Sequence, residues 1–182
     1  WFFVFDHAII YGILTEMQKA VDGDVCEIGV AFGRSAIALS NYKRDTDKLY
    51  LYDMFQSDDL SVEQTEANIR KYGTFDKVEW RITDTTKLKS NDITFDKPLR
   101  LLHLDGCHEH CAVVTDLTNF SSKMSDKGII VIDDYNDPEY PGINSGTQRF
   151  LFKNDAWTIF AIGQNKAYVC AKEYAEVYKL QL

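Results

Sequence analysis

Three aspartates follow two apolar runs of the sequence, at the point where each run ends. Asp105 closes the run from Arg100, and Asp133 and Asp134 close the run that begins at Gly128. If these runs are neighbouring parallel strands, about 4.8 Å apart, their carboxylates gather at one edge of the sheet and repel one another. Oxygen donors of this kind favour a hard cation such as Mg²⁺. The sequence therefore predicts a metal site on Asp105, Asp133 and Asp134, or one protonated acid among them.

His108 follows Asp105 by three residues and is a candidate general base, so Asp105 and His108 are the expected catalytic pair. A metal ion would lower the pKa of a bound hydroxyl and hold its oxygen in line for attack. The alternative is that His108 begins a helix and contacts Asp105 structurally. His103 lies inside an apolar run and is predicted to be a packed core histidine.

A second group of residues suits a nucleotide-like cofactor. Gly29 and Gly33 follow the first apolar run and allow a tight turn into a helix. Their spacing lacks the third glycine typical of a pyrophosphate loop, and a cofactor without phosphate tolerates this looser turn. Asp53 closes the second run, where it could accept both hydroxyls of a ribose, and Asp84 could accept from an adenine amine. The alternatives are a solvated strand-end acid at Asp53 and a helix cap at Asp84.

The elements that must position these residues alternate between apolar runs and amphipathic stretches, as in βα units. The fold class predicted is α/β, a Rossmann-like three-layer sandwich with a seven-stranded, mostly parallel sheet that ends in an antiparallel hairpin. Strands are predicted at 24–30, 48–55, 78–83, 100–105, 128–133, 157–162 and 167–171, and helices at 10–20, 34–42, 61–72, 108–124 and 145–152. The segment 135–141 is a candidate loop on the acceptor side.

Composition narrows the class of protein. The chain has 182 residues, 45% of them hydrophobic, which suits one domain over 1–182; a piece of a longer protein is also open because the chain lacks an initiator Met. Its net charge of −8 disfavours a nucleic-acid partner, and no apolar run is long enough to span a bilayer. Four cysteines without a disulfide pattern indicate a reducing, cytoplasmic setting. Zinc at Cys107 and Cys111 is disfavoured because no second cysteine and histidine cluster completes the ligands.

Taken together, the motifs resemble a known family. They are EIGVAFGRSA at 27–36, LLHLDGCH at 101–108, Asp116-Leu117, GIIVIDDY at 128–135 and PGI at 141–143. The chain resembles class I S-adenosylmethionine-dependent methyltransferases, and more narrowly the macrocin-type sugar O-methyltransferases, over about residues 8–172. The resemblance implies cofactor contacts near the first loop and the following acids, and metal ligands at the three aspartates. The cofactor-binding residues expected are Glu27, Gly29, Gly33, Ser35, Asp53, Asp84 and Asp105.

The expected activity is therefore metal-assisted O-methylation of a small-molecule or sugar hydroxyl, with S-adenosylmethionine as donor and Mg²⁺ as the metal. The expected partner is a small acceptor, such as a sugar or glycoside. Neither a nucleic-acid nor a membrane partner is expected, and a homo-oligomer is an option. Two alternatives stay open: an NAD(P)-dependent oxidoreductase on the same fold, and a non-catalytic nucleotide-binding domain of a larger protein.

Overall fold

The computed structural model describes residues 4–56 and 59–181. All seven strands in these ranges belong to one twisted sheet. Its order is β3-β2-β1-β4-β5-β7-β6. The pairs among β1 to β5 are parallel, whereas β7 pairs antiparallel with both β5 and β6. The strands are β1 (Asp24–Ile28), β2 (Leu49–Asp53), β3 (Val78–Ile82), β4 (Leu99–Leu104), β5 (Met124–Ile132), β6 (Trp157–Gly163) and β7 (Lys166–Ala171). The predicted fold class, including the terminal hairpin, is confirmed.

The helices connect these strands and cover both faces of the sheet. They are α1 (Val4–Gly12), which continues as a π-helical turn over Ile13–Met17, α2 (Arg34–Tyr42), α3 (Val62–Tyr72), α4 (His110–Ser121), α5 (Pro141–Lys153) and α6 (Ala175–Lys179). Short 3-10 turns lie at Thr85–Lys87, Ser90–Asp92 and Lys172–Tyr174. Over the described ranges, each helix falls short of the length and apolarity that a membrane crossing demands.

The strands separate two hydrophobic cores because successive side chains point to opposite faces of a sheet. Leu49 and Leu51 of β2 belong to the core beneath α1, α2 and α6, and Tyr50 and Tyr52 belong to the core beneath α4 and α5. Both sets are buried. This burial on both faces explains why the parallel strands read as continuous apolar runs in the sequence.

Several predicted boundaries were wrong, each for a local reason. The first helix begins at Val4 rather than Ile10, and its π-helical turn ends before 20. The helix predicted over 108–124 covers only His110–Ser121, because the backbone amide of Leu99 already bonds the carbonyl of Lys123 as β5 pairs with β4. The helix predicted from 145 begins at Pro141, since proline is well suited to the first helical position.

Candidate active site

A cavity of about 600 Å³ opens at the carboxyl edge of the parallel strands. Members of both groups singled out in the sequence line it: Gly29, Asp53 and Asp84 of the cofactor group, and Asp105, His108 and Asp134 of the acid group. Such a volume is ordinary for the binding site of a small molecule or cofactor. One continuous space therefore connects the candidate cofactor loop with the candidate acid cluster.

The loop after β1 holds two glycines in the left-handed region, Gly29 at φ 84° and Gly33 at φ 82°. A Cβ built on Gly29 would lie 1.9 Å from the carbonyl oxygen of Asp105, so no other residue fits there. The backbone amide of Asp105 also donates to the carbonyl of Ile28 at 2.8 Å. The two loops that flank the cavity are thereby fixed against each other. Gly33 caps the start of α2 and does not line the cavity.

Asp53, at the end of β2, organises the glycine loop. Its Oδ2 accepts hydrogen bonds from the backbone amides of Val30 at 2.7 Å and Ala31 at 2.9 Å, and its Oδ1 accepts one from Phe55 at 2.8 Å. A carboxylate can accept about four hydrogen bonds, so little capacity remains for a ribose. The carboxylate lines the cavity, and its role toward a ribose stays a prediction.

Asp84 caps the 3-10 turn that follows β3. Its Oδ1 accepts from the backbone amide of Thr86 at 3.0 Å and from that residue's hydroxyl at 2.6 Å, and its Oδ2 lies 3.0 Å from Nζ of Lys87. These hydrogen bonds lower the pKa of Asp84. The capping interpretation is therefore observed, while Asp84 also lines the cavity where an adenine amine could reach it.

Glu27 lies under the glycine loop and does not line the cavity. Its side chain is fully buried, and Oε1 lies 2.9 Å from Nδ1 of His103, which is the packed core histidine expected from the sequence. Burial raises the pKa of Glu27, and the side chains of His103 and Ser35 oppose that effect. Ser35 is buried beside it. Their contacts with a cofactor stay predictions.

Asp133 is held beneath the cavity by two cationic groups, and its role as a metal ligand stays a prediction. Its Oδ1 accepts from Nζ of Lys166, and its Oδ2 lies 3.5 Å from Nε2 of His103. Burial disfavours the charged carboxylate, but His103 and Lys166 outweigh it and lower the pKa of Asp133. Burial likewise opposes protonation of His103, while Asp133 and Glu27 raise its pKa to about 10. Lys166 also lies 3.6 Å from Asp6 of α1, so this partnered network extends to the N-terminal helix.

The open acid cluster consists of Asp105, His108 and Asp134. One ligand atom of each lies within 4.8 Å of the others, and over the described part of the chain this is the one group of three or more potential metal ligands. Nε2 of His108 is 3.8 Å from a carboxylate oxygen of Asp105 and of Asp134. All three side chains are half-buried. The structure groups His108 with Asp105 and Asp134, whereas Asp133 contacts Lys166, and the metal set predicted from the sequence stays a prediction.

The electrostatics of this cluster suit a bound cation. Burial and the neighbouring charges of Asp133 and Asp105 raise the pKa of Asp134, and the Asp105 carboxylate raises the pKa of His108. Asp134 also adopts φ 52°, an uncommon conformation for a side-chain-bearing residue. Two carboxylates and an imidazole, partly open to a cavity, are an appropriate donor set for a divalent ion completed by water and substrate oxygens.

The outer wall of the cavity comes from the segment 135–141, as the sequence suggested for an acceptor-side loop. Asp137, Glu139 and Tyr140 line it, and the Tyr140 ring packs on His108 with a centroid distance of 4.1 Å. Tyr140 itself was not singled out in the sequence, because only the fold brings it onto His108. Cys107 also lines the cavity, and it and Cys111 are free and exposed, which gives no support to zinc there.

Comparison with known proteins identifies the class of protein to which this arrangement belongs. The family model described as a methyltransferase domain matches residues 26–135, more than half of the chain. The chain therefore belongs to this family and is a methyltransferase. Its loop, acidic strand ends and sheet order are those of the class I, S-adenosylmethionine-dependent type. A search of curated proteins gave no match.

Solved structures share the fold at low sequence identity. The O-methyltransferase NovP superposes with a TM-score of 0.75 at 22% identity, covering 89% of this chain and 77% of NovP. CalS11, a TDP-rhamnose 3'-O-methyltransferase of calicheamicin biosynthesis, gives 0.69 at 14% identity over 93% and 81% of the two chains. The methyltransferase PaMTH1 of Podospora anserina, solved with bound SAH, gives 0.63 at 18% identity over 88% and 76%.

Proposed function

We propose that this methyltransferase transfers the methyl group of S-adenosylmethionine to a hydroxyl of a small molecule, with a divalent metal such as Mg²⁺ at Asp105, His108 and Asp134. The single observation that carries the proposal is the continuity of the cavity: Gly29 and Asp53, which would form a cofactor end, line the same space as these three side chains, which would form an acceptor end. A methyl donor and a hydroxyl acceptor would meet where the two ends join.

The cofactor end would bind the donor through the backbone. The turn at Gly29 brings main-chain atoms to the cavity, and Asp53 holds that turn through Val30 and Ala31. No phosphate-binding triad of glycines is present in the sequence, which agrees with a sulfonium cofactor rather than a dinucleotide.

The acid end would orient the acceptor. In the reaction the hydroxyl oxygen bonds to the methyl carbon as the bond from that carbon to sulfur breaks, and the hydroxyl proton must leave. A divalent ion, when bound, would lower the pKa of the hydroxyl and fix its oxygen. Asp105 and Asp134 supply the anionic ligands, and the imidazole of His108 lies beside them to bind the metal or receive the proton. Because Asp105 is locked against Gly29, donor and acceptor are held in register.

A sugar or glycoside hydroxyl is the acceptor class we favour. The support is the shared fold with NovP and with CalS11, a methyltransferase that acts on a sugar nucleotide. The protein is further proposed to act as a cytoplasmic enzyme on a small molecule, without nucleic-acid or membrane partners and with homo-oligomerisation open.

The test combines binding and turnover. Calorimetry should detect S-adenosylmethionine but not NAD; binding of NAD alone would favour the oxidoreductase alternative. A panel of sugars, glycosides and phenols should then yield a product 14 mass units heavier, about one CH₂, with Mg²⁺ and not with a chelator. Asp105→Asn should reduce turnover at least about 100-fold and spare cofactor binding, whereas the exposed Asp126→Asn should behave as the parent protein. Unchanged turnover in Asp105→Asn would remove the cluster from the mechanism.

A further inference from the structure

The acceptor end of the cavity is lined by negative charge. Beyond Asp105 and Asp134, its outer wall carries Asp137 and Glu139, with Tyr140 between them and His108. Among the described lining residues there is neither a lysine nor an arginine. His108 is the single lining side chain in these ranges that can carry positive charge.

A bound metal would not reverse this sign. Four carboxylates carry more charge than a divalent cation and a protonated His108 together supply. Without the positive charge of a sulfonium donor, as when S-adenosylhomocysteine is bound, an anionic acceptor group at this end would face net repulsion with or without the metal, and at a partly buried surface such repulsion is only partly screened.

Two lysines of the neighbourhood are engaged elsewhere. Lys166 lies beneath the cavity, 2% exposed, and bonds Asp133. Lys87 lies at the cofactor end, where its Nζ is 3.0 Å from Asp84. The six residues outside the described ranges (1–3, 57, 58 and 182) contain no lysine or arginine in the sequence.

The same wall offers an aromatic face. The Tyr140 ring is half-buried and packs on His108 at a centroid distance of 4.1 Å. An aromatic ring beside carboxylates can hold both the carbon face of a sugar ring and an ammonium group, through cation–π attraction. Asp137 and Glu139 are kept beside it by the local turn, in which Oδ1 of Asp137 accepts from the backbone amide of Glu139 at 2.9 Å.

We propose that the acceptor is an amine-bearing hydroxyl compound without a phosphate, of the amino-sugar or aminoglycoside kind. This inference rests on the proposed O-methylation at the same site. It separates this chain from CalS11, whose substrate TDP-rhamnose carries a diphosphate, although the two share a fold. Asp137 and Glu139 are then specificity-determining residues outside the proposed metal group.

The experiment compares three matched probes on the protein loaded with S-adenosylhomocysteine and Mg²⁺: methyl glucoside, methyl 2-amino-2-deoxyglucoside and glucose 1-phosphate. Dissociation constants are measured by calorimetry or by saturation-transfer NMR, at low and at high salt. The amino sugar should bind at least about tenfold more tightly than the neutral glycoside, and the phosphate should bind at least about tenfold more weakly. Added salt should reduce both differences.

Variants locate the effect. In the double variant that combines Asp137→Asn with Glu139→Gln, the amino sugar should bind no more than about threefold more tightly than the neutral glycoside. Asp126→Asn should leave the parent's preference for the amino sugar unchanged. Equal or tighter binding of the phosphate, equal binding of the amine and neutral probes, or no amine binding at tens of millimolar would each overturn the inference. A failure of the proposed function would give a different result. In that case the protein would bind the amino sugar selectively but transfer no methyl group to any hydroxyl.

Discussion

Asp133 and Asp134 are neighbours in the sequence, yet they belong to two groups of charges with opposite character. Asp133 is buried between Lys166 and His103, and its pKa is lowered. Asp134 faces the cavity beside Asp105 and His108, and its pKa is raised. The first group, Asp133 with Lys166, His103 and Asp6, is called the partnered group, and it links the strands to α1. The second group, Asp105, His108 and Asp134, is called the open group, and it carries uncompensated negative charge at a surface that a ligand can reach. A buried charge destabilises the fold when it loses its partner, and a charge with a shifted pKa at a cavity is a candidate for chemistry.

The largest effect is expected from breaking the partnered group. Lys166→Met leaves Asp133 and Asp6 without the cation they share, so the free energy of unfolding should fall by about 3–5 kcal/mol. Denaturant unfolding followed by circular dichroism measures this. The matched control is Lys153→Met on the exposed end of α5, which should change stability by less than about 0.5 kcal/mol. Equal effects of the two substitutions would mean that burial of the network does not matter.

The open group should respond in the opposite way. Asp134→Asn removes one of several crowded like charges and keeps a residue that tolerates φ 52°, so stability should stay level or rise by up to about 1 kcal/mol. Methyl transfer should nevertheless fall at least about 100-fold, which corresponds to about 2.7 kcal/mol of transition-state stabilisation. Kinetics and denaturation of the same preparation give both values. A large loss of stability would place Asp134 with the partnered group instead.

Asp116 of α4 sharpens the comparison, because it is buried like Asp133 but forms no ion pair with any of the described residues. It is 1% exposed, and among the described residues neither carboxylate oxygen has a hydrogen-bond partner of normal length. Burial raises its pKa to about 7, and the hydroxyl of Thr85 opposes this only in part. Because the folded pKa lies above the unfolded value, its stabilising contribution is present below about pH 4 and is lost as the pH rises toward 7.

Asp116→Asn should remove that pH dependence. Relative to the parent, the variant should gain up to about 4 kcal/mol between pH 4 and pH 8, measured as the difference in unfolding free energy at each pH. Asp126→Asn, at an exposed position of β5, should show no such gain. If the difference in unfolding free energy between Asp116→Asn and the parent did not change with pH, the carboxyl group of Asp116 would already be ionised at pH 4.

The smallest effect concerns the cofactor end. In Asp53→Asn, one of the two carboxylate oxygens that accept from backbone amides becomes an NH₂ group, which cannot accept a hydrogen bond. S-adenosylmethionine should therefore bind about tenfold more weakly, which corresponds to about 1.4 kcal/mol. Calorimetry measures this, with Asp126→Asn as control. No loss of affinity would show that the glycines hold the loop without Asp53.

Much of the fold could be predicted because its signals are local. The five parallel strands are continuous apolar runs since both faces are buried, and the short connection between β6 and β7 indicated the hairpin. The helix boundaries were less certain because pairing of β5 with β4, and not propensity, ends α4. In the site, Gly29, Asp53, Asp84, Asp105, His108 and Asp134 were correctly placed at one cavity, whereas Tyr140 was missed.

The sequence by itself determined where the strands end and which residue types stand there, because apolar runs and glycines act over short distances. It also indicated a glycine turn after β1, whereas the contact with Asp105 that excludes a side chain at Gly29 comes from the fold. The tertiary structure decided which aspartate does which task. Lys166 lies 33 residues from Asp133, and His103 comes from another strand, so no local pattern could show that they hold Asp133 and leave Asp134 to the cavity. Partners brought together by the sheet fix the charge environment, and that environment separates a structural acid from a functional one.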